Sequence, residues 1–234
     1  MLINFVKNNL FVQNLAGWLF SLMSPMVEHN LGKYLAIKKA FYLTALEKLD
    51  GDYLEFGVFT GSSFVFATRI HKKLRAIAAV STRFYGFDSF IGFGDVATYD
   101  KHPFYLDNTF TVNKINVIGN IKRKSSGVET TIVEGYFEDS IKGKAPDDFG
   151  IEKVRILFID CDLKDPARIA LDFCLPKLQV GTVLIMDDYF SYKGQANKGV
   201  SGAFIEFNDI NKNLVWRRIY EYGYGGVAYI LSDI

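Results

Sequence analysis

The chain has 234 residues, and 49% of them are hydrophobic, which is enough to fill one sizeable core. This composition excludes a disordered protein. The 27 basic and 26 acidic residues leave a net charge of +1, so no strong overall field attracts nucleic acid or an anionic membrane, and we expect no nucleic-acid partner. Cys161 and Cys174 are too few for the disulfide framework of a small secreted domain and favour a reducing, cytoplasmic setting.

The N-terminal stretch 10–27 is apolar but is interrupted by Gln13, Asn14 and Pro25. It falls short of the ~20 apolar residues that a membrane span requires, so we expect no stable membrane insertion. Its apolar residues recur at helical spacing, which predicts a helix that packs on its own domain or on a second subunit, with a membrane-surface helix as the alternative. We therefore predict a helical lid or dimer extension in residues 1–49, ahead of a main domain in residues 50–234.

Strand-like and helical patterns alternate along the rest of the chain. Helices are predicted over 33–48 and about 111–124, and a long connection of mixed composition begins at Ile91. The predicted strands are the apolar runs 53–58, 84–87, 130–133, 154–159, 182–186, 215–220 and 227–231. Strands separated by helices indicate an α/β fold with a parallel sheet, and the short turn between the last two runs indicates an antiparallel hairpin.

Acidic residues follow four of these strands directly. They are Asp88, Glu134, Asp160 and the pair Asp187 and Asp188. A single acid at this place is often a helix cap, but the carboxyl ends of parallel strands share the edge where open α/β sheets bind ligands. We expect the carboxylates to converge there on hydroxyl groups, cations or both.

The first strand runs into a glycine turn. Gly57 and Gly61 would let the backbone approach a ligand, and Ser62 or Ser63 can cap the helix that follows. The spacing G-x-x-x-G departs from the dinucleotide and phosphate-loop patterns, so neither NAD nor ATP is favoured. Asp88, at the end of the next strand, can accept both hydroxyls of an adenosine ribose. Adenosine without phosphate contacts suggests S-adenosylmethionine.

Five ordered motifs resemble those of the macrocin-type (TylF-like) O-methyltransferases. They are LEFGVFTGSS (54–63), YGFDSF (85–90), VEGYFEDS (133–140), FIDCDL (158–163) and MDDY (186–189). The resemblance implies a class I methyltransferase fold with a mostly parallel seven-stranded sheet. It also implies Mg²⁺, S-adenosylmethionine and a hydroxyl acceptor, foremost a sugar hydroxyl of a secondary metabolite or glycan precursor, with a catechol or phenol as the alternative.

The resemblance also assigns roles to individual residues. Asp160, Asp187 and Asp188 match the metal carboxylates, and Asp162 matches the proposed general base. The residues expected around the cofactor, from the motifs and from the glycine turn, are Glu55, Gly57, Gly61, Ser62, Asp88, Ser89, Gly135, Phe137, Asp139 and Asp160.

The identity of the base has an alternative. Adjacent positions on an extended strand face opposite ways, so Asp160 and Asp162 should point into one crevice and Cys161 into the core. Lys164 replaces a tyrosine that is usual in the family, and it is the second candidate for the base.

The sequence also permits other functions. D-x-D at residues 160–162 also occurs in glycosyltransferases and, loosely, in phosphatases, although neither class explains Asp187 and Asp188 on the next strand. A non-catalytic adenosine-binding subunit is a third interpretation. His29, His71 and His102 are scattered without metal-ligand spacing, so no zinc site is expected.

Overall fold

The computed structural model describes residues 9–106 and 110–234. Helix α1 (Leu10–Ser21) and helix α2 (Pro25–Leu46) precede a domain in which strands and helices alternate. The remaining elements are β1 (Asp52–Phe56), α3 (Ser62–Leu74), β2 (Phe84–Asp88), α4 (Lys114–Lys124), β3 (Thr130–Glu134), α5 (Phe137–Ser140), β4 (Val154–Ile159), α6 (Lys164–Cys174), β5 (Val183–Met186), α7 (Gly199–Ile210), β6 (Val215–Tyr222) and β7 (Gly226–Asp233). All seven predicted strands are therefore present.

The strands form one mixed sheet in the order β3-β2-β1-β4-β5-β7-β6. Strands β1 to β5 are parallel, and β7 runs antiparallel to both β5 and β6. The prediction of a mostly parallel sheet that ends in an antiparallel hairpin is confirmed. Because the strand order reverses between β1 and β4, the carboxyl ends of these strands border a crevice of the kind in which open α/β sheets bind ligands.

Helix α2 belongs to the core of the sheet. Ala36, Ile37, Ala40 and Phe41 are fully or almost fully buried and pack in one cluster with residues of β1, β4 and β5. The helix begins eight residues before the predicted start because Pro25 occupies its first turn, where a missing N–H costs nothing. The second half of the predicted extension therefore shares its core with residues 50–234.

Helix α1 has no buried residue. Phe11, Trp18 and Phe20 are each more than half exposed. Among the described residues no single helix is both long and apolar enough to cross a membrane, and α1 and α2 meet the length and composition criteria only as a pair bent by 91°. The role of α1 as a lid or a dimer element stays a prediction.

The buried His71 makes the stability of the fold depend on pH. Its ring lies beside Phe41 and Phe84, and Nε2 accepts a hydrogen bond from Arg75 Nε at 3.2 Å. Burial, and then the charges of Arg75 and Arg155, lower the pKa of His71 from 6.5 to about 4. Between these pH values His71 binds a proton in the unfolded chain but not in the folded chain. The stability of the fold therefore falls as the pH falls from 6.5 to 4.

We expect this loss of unfolding free energy to reach about 3 kcal/mol at most, since one pKa unit corresponds to about 1.4 kcal/mol. Urea unfolding of the wild type and His71→Gln between pH 7 and 4 checks it, because glutamine keeps an acceptor for Arg75 but cannot take up the proton. The variant should lose less stability than the wild type over this range. His102→Gln is the control and should follow the wild type. Parallel curves for the wild type and His71→Gln would contradict the assignment.

Candidate active site

A cavity of about 540 Å³ lies at the carboxyl edge of the sheet. Its walls come from the turns after β1 to β5, from the connection after β2 and from the first turns of α2. The predicted crevice therefore exists, and a helix that the strand pattern did not assign to it forms one of its walls.

The glycine turn after β1 brings two strand ends together. Gly57 has φ +96°, and a Cβ at this position would lie 1.9 Å from the carbonyl oxygen of Asp160. Only a residue without a side chain fits there, because this φ is unfavourable for other residues and the backbone after β4 fills the space. The close approach places the turn and Asp160 in one wall of the cavity.

Asp88 ties the turns after β1 and β2 together. Its Oδ2 accepts hydrogen bonds from the N–H groups of Val58 and Phe59, both at 2.7 Å, and its Oδ1 accepts one from Phe90 N–H at 2.6 Å. A carboxylate offers about four acceptor sites, so about one of them is left for a ligand hydroxyl. In this geometry Asp88 has room to accept one ribose hydroxyl, where the sequence suggested both.

Most of the residues predicted around the cofactor do line the cavity. They are Gly57, Ser62, Asp88, Ser89, Gly135, Phe137 and Asp160. Glu55, Gly61 and Asp139 do not line it. Glu55 is fully buried and Gly61 packs against α4, so neither reaches the cavity.

Glu55 links strand β1 to the first turn of α3. It is fully buried, and its carboxylate accepts hydrogen bonds from Ser63 Oγ at 2.6 Å and from the Tyr53 hydroxyl at 2.5 Å. Burial raises the pKa of Glu55 to about 7 despite these bonds. Neither Ser62 nor Ser63 caps α3, because its N-cap is Gly61 and no side chain caps it. Gly61 itself packs against Ile121 of α4.

Three carboxylates converge at the other end of the cavity. Asp160, Asp187 and Asp188 offer oxygens within 4.8 Å of one another. Asp187 has a 2% exposed side chain, and its Oδ1 is buried without a hydrogen-bond partner. Hard oxygen donors and an unsatisfied buried carboxylate oxygen suit Mg²⁺, which prefers oxygen ligands and usually keeps several waters. The residues present therefore fit the metal that the resemblance implies.

Two side chains from α2 reach the same carboxylates, and sequence reasoning missed both. Lys33 Nζ lies 2.9 Å from Asp160 Oδ2 and 2.6 Å from Asp187 Oδ2, and His29 Nε2 lies 3.0 Å from Asp187 Oδ2. Burial alone would raise the pKa of Asp187, but Lys33 and His29 hold it well below its usual range. Burial raises the pKa of Asp160 in spite of Lys33.

A spacing signal for these two residues was present. Positions 29, 33, 37 and 41 recur every four residues, so they lie on one face of a helix. Ile37 and Phe41 face the core from it. His29 and Lys33 continue the helix face on which Ile37 and Phe41 are buried. Two basic residues on such a face are candidates for a site.

Asp162 lines the cavity beside Asp188, but strand alternation is not what places it there. Strand β4 ends at Ile159, and Asp162 has φ +63°, in the left-handed region that aspartate tolerates better than most residues. Burial, and then the Asp188 carboxylate, raise the pKa of Asp162 well above its usual range. Cys161 is buried as expected, although part of it also borders the cavity.

Two further expectations differ from the structure. Lys164 Nζ bonds to Glu206 Oε1 at 2.7 Å and to Asn197 O at 3.3 Å, and the residue does not line the cavity, so it is not placed to act as a base. Glu134 lies outside the cavity and pairs with Lys114 on the surface. The edge strand β3 thus contributes its following turn to the cavity, but not its terminal carboxylate.

Known proteins resemble this chain in sequence and in fold. The sequence matches the family model of the macrocin-O-methyltransferases (TylF) over residues 33–217. The 8-demethyl-8-(2,3-dimethoxy-alpha-L-rhamnosyl)-tetracenomycin-C 4'-O-methyltransferase of Streptomyces olivaceus is 28% identical over 178 residues, which span 70% of this chain and 64% of that protein. The chain therefore covers slightly less than two thirds of this relative.

Two solved structures share the fold. The O-methyltransferase NovP has a TM-score of 0.70 at 21% identity and covers 86% of this chain and 80% of its own. The calicheamicin methyltransferase CalS11 has a TM-score of 0.72 at 17% identity and covers 99% and 90%. At these identities the likeness concerns the fold alone, which is the mostly parallel seven-stranded sheet predicted from the sequence.

Proposed function

Because the chain belongs to the macrocin-O-methyltransferase (TylF) family, we propose that it is an S-adenosylmethionine-dependent, Mg²⁺-dependent O-methyltransferase that acts on a sugar hydroxyl of a secondary metabolite or glycan precursor. One observation carries the proposal: a single cavity contains both the glycine turn with Asp88 and the carboxylates Asp160, Asp187 and Asp188. A cofactor and a hydroxyl acceptor could therefore meet in it.

Each part of the cavity has a role in this proposal. The backbone at Gly57 lets the cofactor approach, and Asp88 accepts a ribose hydroxyl. Asp160, Asp187 and Asp188 would hold Mg²⁺, which would supply positive charge that lowers the pKa of an acceptor hydroxyl. Asp162 takes the proton from that hydroxyl. The oxygen then bonds to the sulfonium methyl carbon in line as the carbon–sulfur bond breaks and S-adenosylhomocysteine leaves. The protein contributes mainly by positioning the two reactants.

The aromatic wall of the cavity supports an acceptor that carries a ring system beside its sugar. Phe93, Phe104 and Phe110 line the cavity from the connection after β2. Phe110 contacts both of the others, with ring centroids 5.2 Å from Phe93 and 5.6 Å from Phe104. Such a surface suits the apolar face of a sugar or the aromatic part of a metabolite. The sugar in the name of the Streptomyces olivaceus relative points the same way.

The D-x-D alternatives are weaker than this proposal. The family match includes both the glycine turn and the carboxylates that follow β5, which a glycosyltransferase or a phosphatase leaves unexplained. A cytoplasmic setting remains part of the proposal, since Cys161 and Cys174 are both buried, free thiols.

Asp88→Ala should weaken S-adenosylmethionine binding. The variant removes the acceptor for the ribose hydroxyl and also the acceptor shared by the turns after β1 and β2, so we expect a loss of about 1 to 3 kcal/mol. Isothermal titration calorimetry measures it. Glu134→Ala is the matched control, because Glu134 is the register partner of Asp88 on β3 but lies outside the cavity. An unchanged dissociation constant for Asp88→Ala would rule out its role.

The same titration tests the function itself. We expect saturable binding of S-adenosylmethionine and S-adenosylhomocysteine in the absence of any UDP-sugar. Binding of a UDP-sugar without binding of S-adenosylmethionine would favour the glycosyltransferase interpretation instead.

A further inference from the structure

Lys33 forms ion pairs with two of the three carboxylates of the proposed metal site. Its Nζ bridges Oδ2 of Asp160 and Oδ2 of Asp187, at 2.9 and 2.6 Å. The ammonium group is well enclosed, since the side chain is 12% exposed and Nζ lies 5.8 Å from the centre of the Phe158 ring. A positive charge from the protein itself therefore already partly neutralises the two aspartates.

A divalent cation bound by the same aspartates would face this ammonium group. Like charges repel strongly in a partly buried site, because little water is present to screen them. If the cation displaces Lys33, the two ion pairs with Asp160 and Asp187 are lost. If Lys33 stays on the Oδ2 atoms and the cation takes the free Oδ1 of Asp187, the ammonium group repels it. In both arrangements Lys33 lowers the affinity of the site for the metal.

The helix that carries Lys33 is anchored to the site by polar contacts. None of residues 25–35 of α2 is buried, whereas burial begins at Ala36. The contacts of the first turns with the site are those of Lys33, of His29 on Asp187 and of the N–H of Tyr224, which donates to His29 Nδ1 at 3.2 Å. Away from the site, Tyr34 also stacks on Phe66 at 4.6 Å. The same turns form a wall of the cavity through Pro25, Met26 and Asn30. Weakening the Lys33 contact would therefore loosen this wall.

We propose that Lys33 is a built-in competitor of the divalent cation, so that metal binding and the seating of the first turns of α2 on the site oppose each other. The inference rests on the metal site proposed above and adds a residue that sets its affinity. By thermodynamic linkage the opposition is mutual: a firmly seated helix weakens metal binding, and a bound metal loosens the helix.

The test measures Mn²⁺ binding to the cofactor-free protein by calorimetry, in the wild type, Lys33→Met and Lys38→Met. Methionine keeps the length of the side chain and the helix propensity but removes the charge. Lys38 is exposed on the same helix and serves as the control. We expect Lys33→Met to bind Mn²⁺ about ten-fold more tightly or better, and Lys38→Met to bind it as the wild type does. Equal or weaker binding by Lys33→Met overturns the inference.

A second measurement needs no variant and covers the case in which Lys33→Met fails to fold. Hydrogen exchange of the wild type should speed up in peptides from residues 26–35 when Mn²⁺ is added, and exchange in β4 should not. Unchanged or slower exchange in residues 26–35 overturns the inference.

Neither readout involves methyl transfer, so the two proposals fail separately. Tighter Mn²⁺ binding by Lys33→Met in a protein that transfers no methyl group would refute the activity and leave the role of Lys33 standing. If the enzyme is active and its Mn²⁺ affinity is unchanged by Lys33→Met, the proposed activity stands and the role of Lys33 is refuted. If neither the wild type nor Lys33→Met binds Mn²⁺, the metal site and the role of Lys33 are both overturned.

Discussion

Asp162→Asn should lower the turnover of methyl transfer by about 10²-fold to 10⁴-fold, the usual contribution of a general base, and leave divalent cation binding nearly unchanged. Asparagine keeps the shape of the side chain and tolerates the left-handed backbone at this position, but it cannot take the proton of an acceptor hydroxyl. Turnover is measured by release of S-adenosylhomocysteine and metal binding by Mn²⁺ titration of the same preparation.

Two further variants serve as comparisons for Asp162→Asn. Asp187→Asn alters a proposed metal ligand, so it should reduce metal affinity and turnover together. Asp209→Asn, an exposed position on α7, should change neither. If Asp162→Asn lost Mn²⁺ as severely as Asp187→Asn, Asp162 would be a metal ligand. Full turnover in Asp162→Asn would mean that another group, such as a metal-bound hydroxide, takes the proton.

Gly57→Ala should destabilise the fold by about 3 kcal/mol or more, since it combines a strained positive φ with a severe overlap. The new Cβ would lie 1.9 Å from the carbonyl oxygen of Asp160, and the backbone there cannot move aside without displacing the end of β4. We expect low soluble yield, or a urea midpoint far below that of the wild type.

Gly119→Ala is the matched control for this substitution. Gly119 lies within α4, and a Cβ there would meet nothing within 4 Å, so alanine should stabilise the protein by about 0.5 to 1 kcal/mol. A loss of less than about 1 kcal/mol in Gly57→Ala would show that the turn after β1 and the end of β4 can separate, contrary to the packing described here.

Much of the fold follows from patterns that are local in the sequence. Buried strands such as β4 and β5 are short runs of apolar residues, and their alternation with helices dictates a parallel sheet. The acids at the carboxyl ends of β2, β4 and β5 then line one cavity because parallel strands share one carboxyl edge. Glu134 is the exception: it also ends a strand, but β3 is the edge of the sheet and Lys114 pairs with it on the surface.

The parts that sequence reasoning missed depend on long-range packing. Lys33 and His29 are more than 120 residues away from the aspartates they contact. Their position follows from the way α2 lies across the sheet, which no local pattern states. Glu55 also depends on long-range packing. Its motif predicts a place near the cofactor, but the packing of α3 places Ser63 where it donates to the Glu55 carboxylate. At Asp162 the predicted position is right, since Asp160 and Asp162 both line the cavity, but strand alternation is not its cause, because the strand ends before it.

The most direct test of the proposed activity is an assay of S-adenosylhomocysteine release over a panel of glycosides and catechols, with Mg²⁺ and after its removal by a chelator. We expect release with at least one glycoside, its loss on chelation and its recovery when Mg²⁺ is restored. Release with catechols alone would redirect the acceptor to a phenol, and release that persists without a divalent cation would contradict the role of Asp160, Asp187 and Asp188.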